Sequence, residues 1–146
     1  MKFFLIIGAI LLQISSLFAL TANEKLKQCC EQLDDADKEC VDKFCDFSAI
    51  SQANILNYLS TCTERGPTVG QMWDCASTRK DHTKCCEAKG VTGKCLEYCS
   101  AQDGVPTNYM DYLFCVESFN EIRECFVEHL EKNDPWTPIP KKKKKN

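Results

Sequence analysis

The sequence is poor in the residues and spacings that mark most catalytic and metal-binding sites. It holds two histidines in 146 residues, and no two of its cysteines stand in a C-x2-C arrangement. Neither a zinc knuckle nor a thioredoxin-type redox pair therefore has its usual spacing. The N-x-[ST] sequon is absent as well, so N-glycosylation at such a motif is not expected.

Cysteine, by contrast, is abundant, with 12 in the chain, and 44% of all residues are apolar. This composition argues against an intrinsically disordered chain, a cytosolic enzyme and a multi-pass membrane protein. The length fits one domain, or two very small domains fused together.

The N-terminal segment has the order of a secretory signal. Lys2 precedes an apolar run from Phe3 to Leu12, and Ala19 and Ala22 offer small residues for signal peptidase. An N-terminal membrane anchor is the alternative, but no cluster of charges follows the apolar run to stop transfer. We therefore expect residues 1–22 to be a signal peptide, cleaved between positions 19 and 22, and the mature protein to be secreted, without a transmembrane segment.

The spacing of the cysteines indicates an internal repeat. The first six are arranged as CC-x9-C-x4-C-x16-C-x12-C and the last six as CC-x8-C-x3-C-x15-C-x9-C. Glutamate follows both CC pairs, and Tyr-Leu stands shortly before the fifth cysteine of both halves. We interpret the chain as two copies of one unit, at about residues 24–77 and 78–132. Chance agreement among many cysteines is the alternative.

In an oxidising compartment an even set of cysteines predicts a disulfide framework. The cysteines expected to form six bridges are Cys29, Cys30, Cys40, Cys45, Cys62, Cys75, Cys85, Cys86, Cys95, Cys99, Cys115 and Cys125. If each half is one unit, its six cysteines should form three bridges among themselves, with the same pattern in both halves. The spacing alone leaves the partner of each cysteine open.

The apolar residues between the cysteines recur at helical spacing, and no segment shows sustained strand-like alternation. Ser51 could cap one helix, and Asp81 could cap a short helix that stops at Gly90. The strongest pattern predicts a single helix from about Asn108 to Glu131. The expected fold is all-α, a small disulfide-rich stack of short helices.

The C-terminal residues 133–146 differ from the rest of the chain. Three prolines disfavour helix, and Lys141, Lys142, Lys143, Lys144 and Lys145 form a basic run. Residues 23–140 hold 12 basic and 21 acidic side chains, which argues against nucleic acid as a partner. The lysines could contact a polyanion weakly, or serve only to keep the chain soluble.

At this point the residues resemble a known family, the DB module, a twelve-cysteine extracellular domain of roundworm proteins. The resemblance rests on Cys29-Cys30, on the C-x4-C at Cys40, and on the second half of the chain. There Asp81-His82-Thr83-x-Cys85-Cys86, Gly90-Val91 and the later cysteines follow the family's order. It covers about residues 29–125 and implies six disulfides and an extracellular site. The family's molecular function is not established, but its module also occurs beside immunoglobulin and fibronectin type III domains, which suggests adhesion or recognition.

Catalysis has little support in the sequence. Secreted phospholipase A2 needs a histidine three residues after the second cysteine of a CC pair, where this chain has Leu33 and Lys89. His82 could act as a base beside Asp81, but a surface or structural role is the simpler interpretation. His129 lies late in the last predicted helix, where a cation is favourable.

Two acidic patterns invite a functional interpretation. Asp35, Asp37 and Glu39 imitate the start of a calcium loop, but the required glycine is replaced by Cys40. We interpret these acids as the first turn of a helix, with loose calcium binding as the alternative. Five glutamates also form a stripe on the last helix, which we interpret as a solvated face or a contact for a cationic partner: Glu117, Glu121, Glu124, Glu128 and Glu131.

The sequence therefore predicts a secreted, disulfide-stabilised module that binds an extracellular protein of unknown identity. It predicts no catalytic residue, metal site or cofactor. The alternatives are a small secreted hydrolase whose site cannot be recognised from the sequence, and a secreted inhibitory or defence protein. The binding hypothesis predicts an exposed apolar or aromatic patch, whereas the hydrolase needs a cleft that gathers His82 with acids from other helices.

Overall fold

The computed structural model describes residues 19–139 and contains six α-helices and two 3₁₀ helices. In chain order these are α1 Ala22–Cys30, α2 Lys38–Phe44, α3 Ile55–Cys62, α4 Thr68–Ser77, α5 Thr83–Ala88, the 3₁₀ helices η1 Gly93–Tyr98 and η2 Tyr109–Ser118, and α6 Phe119–Lys132. The only extended pairing in this range is one isolated bridge between Asp81 and Ser100. The all-α prediction is confirmed. Most of the predicted signal peptide and the lysines at 141–145 lie outside the described residues.

All twelve cysteines are paired, and the pairing order is the same in both halves. In the first half the bridges are Cys29–Cys75, Cys30–Cys45 and Cys40–Cys62. In the second half they are Cys85–Cys125, Cys86–Cys99 and Cys95–Cys115. Each half thus joins its first cysteine to its sixth, its second to its fourth and its third to its fifth, as expected for two copies of one unit.

The helices correspond between the halves as the cysteines do. The adjacent cysteines of the first half end α1, and those of the second half lie within α5. The sixth cysteine lies on α4 in the first half and on α6 in the second. The fifth cysteine lies on α3 or on η2. Adjacent cysteines on a helix point about 100° apart. One helix of each half is therefore tied to two different neighbours.

Two hydrophobic clusters form the core, one centred on each half. Trp73 packs against both clusters, and its ring meets the rings of Tyr98, Phe119 and Phe126 edge to face at centroid distances of 5.2–6.3 Å. Its indole N–H donates to the Tyr98 carbonyl at 3.1 Å. Since no disulfide links the halves, this packing and the contact between α1 and α6 hold them together.

The ends of two helices differ from the sequence prediction. Ser51 does not cap α3, because a turn intervenes and the helix begins at Ile55 after Asn54. Asp81 lies two residues before Thr83, the first residue of α5, so His82 and not Asp81 occupies the N-cap position. The Asp81 carboxylate nevertheless accepts a hydrogen bond from the backbone N–H of Thr83 at 2.9 Å. Its side chain therefore still satisfies a free amide at the start of that helix.

The predicted single helix from Asn108 to Glu131 is wrong. This stretch consists of η2 followed by α6, with a break in the helical backbone at Tyr112 (φ −115°, ψ 16°). Two connections to η1 hold the first part: the Cys95–Cys115 bridge, and a 2.7 Å hydrogen bond from the Tyr112 hydroxyl to Glu97. The apolar period predicted the helical character correctly but could not report these tertiary ties.

Within residues 19–139, no helix has the length and apolar character needed to cross a membrane.

Candidate interaction surface

His82 has a structural position rather than one in a cleft. Its side chain is buried, and Nε2 lies 2.6 Å from the carbonyl oxygen of Ser77. Its ring packs edge to face on Phe126 at 4.9 Å. Burial lowers the pKa of this imidazole despite the hydrogen bond to Ser77. The side chain thus fastens the turn that links α4 to α5.

His129 lies against His82 and is also partly removed from solvent. Burial lowers its pKa, and the nearby His82 and Lys80 lower it further. Its Nδ1 lies 3.3 Å from the Asn133 side-chain nitrogen. The expected benefit of a cation at the end of α6 is provided by Lys25 instead, whose Nζ donates to the carbonyls of Leu130 and Asn133 at 2.7 and 2.8 Å.

The residues that resemble a calcium loop begin a helix. Asp37 caps α2 by accepting the backbone N–H of Cys40 at 2.9 Å, and Glu39 lies in the first turn. Arg65 forms ion pairs with both carboxylates, at 2.9 and 2.8 Å. These hydrogen bonds hold the pKa of Asp37 below its usual value. Over residues 19–139, no three His, Cys, Asp or Glu side chains are placed to hold a metal ion.

The predicted acidic stripe does not form one uniform face. Lys89 donates to Glu128 at 2.8 Å and pairs with Glu124 at 3.3 Å, which fastens α5 to α6. Glu117 belongs to η2 rather than α6, and one carboxylate oxygen of Glu121 is buried. Two members of the stripe are therefore neutralised by an internal partner. Lys89 also occupies the position that a phospholipase would need for histidine.

The most exposed apolar side chains of the helical body lie on α3 and η2. Met110 is 70% exposed, Phe114 58%, Leu56 55% and Leu113 36%. A 3₁₀ helix has three residues per turn, so side chains three apart are aligned. After the break at Tyr112, Leu113 and Val116 lie three residues apart on η2, and Phe119, the first residue of α6, is buried. We call Met110, Leu113, Phe114 and Leu56 the apolar strip.

The apolar strip has rigid support. Phe114 stacks on Tyr112 with ring centroids 6.0 Å apart, and the Tyr112 hydroxyl is held by Glu97. Leu56 lies one turn from Leu59, and Leu59 and Leu113 both line a small apolar cavity of about 50 Å³ between α3 and η2. This cavity lies between the two helices that carry the strip, which are equivalent in the two halves.

The sequence analysis did not identify Leu56, Met110, Leu113 or Phe114 as surface residues. The available signal was the run Tyr-Leu-Phe-Cys-Val at 112–116. Five consecutive apolar residues surround a helix completely, so some of them must face solvent unless the helix is buried on all sides. In so small a domain, a helix at the surface cannot be buried on all sides.

Comparison with known proteins gives the same family as the cysteine pattern. Residues 29–126 match the DB module. Two curated relatives, both from Caenorhabditis elegans, are "Ig-like and fibronectin type-III domain-containing protein 1" and "Ig-like and fibronectin type-III domain-containing protein 2". Each is 34% identical over 119 residues, or 81% of this chain. The matched segment is 10% of the first relative and 7% of the second, so the chain spans a tenth or less of their length.

No solved structure gave a significant match. The family match covers more than half of the chain and includes all twelve cysteines. The expected order of paired and single cysteines is present in both halves, and the six bridges follow it. The chain belongs to the DB module family.

Proposed function

We propose that the protein is secreted and acts as an extracellular recognition module, which binds another protein through the apolar strip without catalysing a reaction. The exposure of Met110, Leu113, Phe114 and Leu56 together is the observation that carries this proposal. Exposed apolar patches on a small domain are typical of protein–protein contacts, and these four side chains lie on two helices that line a shared apolar cavity. Aromatic and methionine side chains are also enriched at the centres of such contacts.

The rigidity of the fold supports binding. The strip is carried by η2 and α3, each fastened by a disulfide, Cys95–Cys115 and Cys40–Cys62. Side chains already ordered before binding lose less conformational entropy when a partner arrives. A stapled domain of this size can therefore present few side chains and still bind specifically.

The positions of the titratable groups favour recognition over hydrolysis. His82 donates to a backbone carbonyl within the fold, and His129 packs on its ring. Neither histidine has a carboxylate from another helix as its hydrogen-bond partner among the described residues. A general base needs an oriented, accessible nitrogen. With Nε2 donating to Ser77, the basic nitrogen of His82 is Nδ1, and it belongs to a buried ring.

Compartment and relatives agree with the proposal. Six disulfides in a domain of this length are typical of exported proteins. The names of the two nematode relatives place this kind of module in chains with Ig-like and fibronectin type III domains. Those names support a recognition role for the module, which we extend to this chain.

Affinity capture from extracellular extracts tests the proposal directly. The secreted protein serves as bait beside a Met110→Ser/Phe114→Ser variant, and Ile139→Ser is the matched control because Ile139 is 85% exposed but lies outside the strip. We expect specific partners to be enriched by wild type and by the control, and to fall at least tenfold with the double variant. Equal recovery on all three baits would contradict a role for the apolar strip.

A further inference from the structure

A polar groove lies beside the apolar strip, between the outer face of α4 and the loop at 104–109. Its volume is about 450 Å³, and it is open to solvent. One wall carries Gly70, Gln71 and Asp74 of α4, with Arg79 beyond the helix end. The other wall carries Val105 and Tyr109 among its residues. A second depression shares Tyr109 with the groove and is also lined by Met110, so the groove adjoins the strip.

The groove presents hydrogen-bond donors and acceptors in close succession. Arg79 and the amide nitrogen of Gln71 are donors and Asp74 is an acceptor, while the hydroxyl of Tyr109 can be both. One guanidinium nitrogen of Arg79 lies 3.4 Å from each carboxylate oxygen of Asp74. The other donates a hydrogen bond to the Gln102 carbonyl at 3.0 Å. The negative charge of the Asp74 carboxylate and the positive charge of the Arg79 guanidinium cancel, so these two groups give the groove no net charge. A neutral occupant that both donates and accepts hydrogen bonds matches this arrangement.

Several of these polar groups are only partly satisfied. Asp74 is largely removed from solvent, and burial raises its pKa although Arg79 opposes the shift. The side-chain oxygen of Gln71 is buried and has no hydrogen-bond partner among residues 19–139. A desolvated polar group without a full set of partners costs stability. An occupant could supply further hydrogen bonds to Asp74, whereas the buried Gln71 oxygen lies out of its reach.

The backbone next to the groove is strained. Thr78 and Arg79 are the only non-glycine residues of the described chain with positive φ, at 55° and 54°. Left-handed backbone is unfavourable for residues with a Cβ and is concentrated at functional sites. The turn is held by the hydrogen bond from His82 to Ser77. It places the Arg79 side chain at the end of the groove, next to Asp74.

Gly70 leaves part of the groove wall without a side chain. It lies inside α4, where glycine is less favourable than alanine. A Cβ at this position would lie 3.7 Å from the Tyr109 hydroxyl, an ordinary contact, so internal packing does not require glycine. Glycine does allow the backbone of an occupant to approach closely.

We infer that this groove binds an extended segment of a partner polypeptide, whose main-chain amides meet Arg79, Asp74, Gln71 and Tyr109. The inference rests on the proposed recognition function and names the partner's chemistry at a site beside the apolar strip. A main chain alternates N–H donors and C=O acceptors and carries no charge, as the groove requires. A side chain of the same segment could extend over Met110.

Selection from a phage-displayed library of random linear peptides on the secreted protein tests the inference. Enriched peptides are then titrated against wild type, Gly70→Leu, which blocks the groove, and Asp74→Asn, which changes its hydrogen bonding with little change in shape. Asp42→Asn is the matched control, since Asp42 is exposed and lies outside the groove. Circular dichroism and a free-thiol count establish that each variant is folded.

We expect the two groove variants to weaken peptide binding at least tenfold and the control to leave it unchanged. N-methylation of the peptide backbone should cause a similar loss, because it removes the amide donors. Failure to enrich any peptide would overturn the inference, as would binding that is indifferent to Gly70→Leu and to N-methylation. Neither failure affects the capture experiment on the apolar strip, so the two proposals can be judged separately.

Discussion

The imidazole rings of His82 and His129 meet edge to face, with their centroids 5.0 Å apart and their planes at 88°. His82 belongs to the turn before α5, and His129 to the last turns of α6. Phe126 also packs edge to face on the His82 ring, with centroids 4.9 Å apart. The pair therefore joins two helices of the second half at a point where solvent is largely excluded.

This pair predicts that the fold loses stability in mild acid. Burial holds the pKa of both imidazoles below their usual value of 6.5, so the unfolded chain takes up protons first as the pH falls. The free energy of unfolding should then be fully present above pH 6.5 and decline below it. Lys80 adds repulsion and Asp81 opposes it. Guanidinium unfolding at a series of pH values measures the decline.

His129→Gln should flatten that dependence between about pH 6.5 and pH 5. The carboxylates with lowered pKa, among them Asp37 and Asp46, lose their stabilising interactions only at lower pH. A variant with the same slope as wild type in this interval would show that the histidine pair is not the cause.

The six disulfides should differ in their reactivity toward a reductant. Eleven of the twelve cysteines are buried, and Cys85 is the exception. Thiol–disulfide exchange requires access to a sulfur atom. We therefore expect limited reduction under native conditions to open Cys85–Cys125 first. Alkylation followed by peptide mapping identifies the first bridge to open, and early labelling of Cys40 or Cys62 would contradict the prediction.

Lys25 should contribute to stability by joining the halves. Its ammonium group donates to two carbonyls at the end of α6, and the charge is favourable there. Lys25→Met should lower the free energy of unfolding by about 1 kcal/mol. Lys38→Met is the matched control, because Lys38 forms an exposed pair with Asp42, and should change stability by less than about 0.5 kcal/mol. If Lys25→Met and Lys38→Met lower the free energy of unfolding equally, Lys25 does not join the halves in this way.

The start of α1 bears on where the proposed signal peptide would be cleaved. Thr21 and Glu24 form reciprocal hydrogen bonds at the helix start, and Ala22 is buried. Cleavage after Ala19 keeps this arrangement, whereas cleavage after Ala22 removes Thr21, a loss of about 1 kcal/mol. The intact mass of the secreted protein should correspond to a chain that begins at Leu20. A chain that begins at Asn23 would contradict this.

The lysines at 141–145 should bind heparin weakly. Each lysine near an anionic surface contributes about 1 kcal/mol at low salt, and screening reduces this contribution as salt is added. Deletion of residues 141–146 should abolish retention on a heparin column and leave circular dichroism unchanged. Retention that survives the deletion, or that persists in high salt, would place the site on the helical body.

The sequence predicted the features that depend on order along the chain. The spacing of the cysteines was sufficient for the repeat and for bridges confined to each half, because a duplicated unit keeps its pairing. Asp37 was identified as part of a helix start, since a cap depends on residues within one turn. The helical class followed from the apolar period.

The features that depend on contacts between distant residues could not be predicted in this way. The break at Tyr112 depends on Glu97 and on the Cys95–Cys115 bridge. The groove beside α4 depends on the approach of Tyr109 to Gly70. The exposure of Leu113 also depends on the 3₁₀ geometry of η2, because side chains on a 3₁₀ helix point in different directions from those on the α-helix that the apolar period predicted.

The separation of the bridges into two sets affects how the protein is made. The first six cysteines are consecutive along the chain, and the last of them, Cys75, pairs with the first, Cys29. During synthesis, which proceeds from the N-terminus, this half is complete before Cys85 leaves the ribosome. On the secretory route proposed above, its three bridges can therefore close while the second half is still being translated, so that the later cysteines emerge with only one another left as partners.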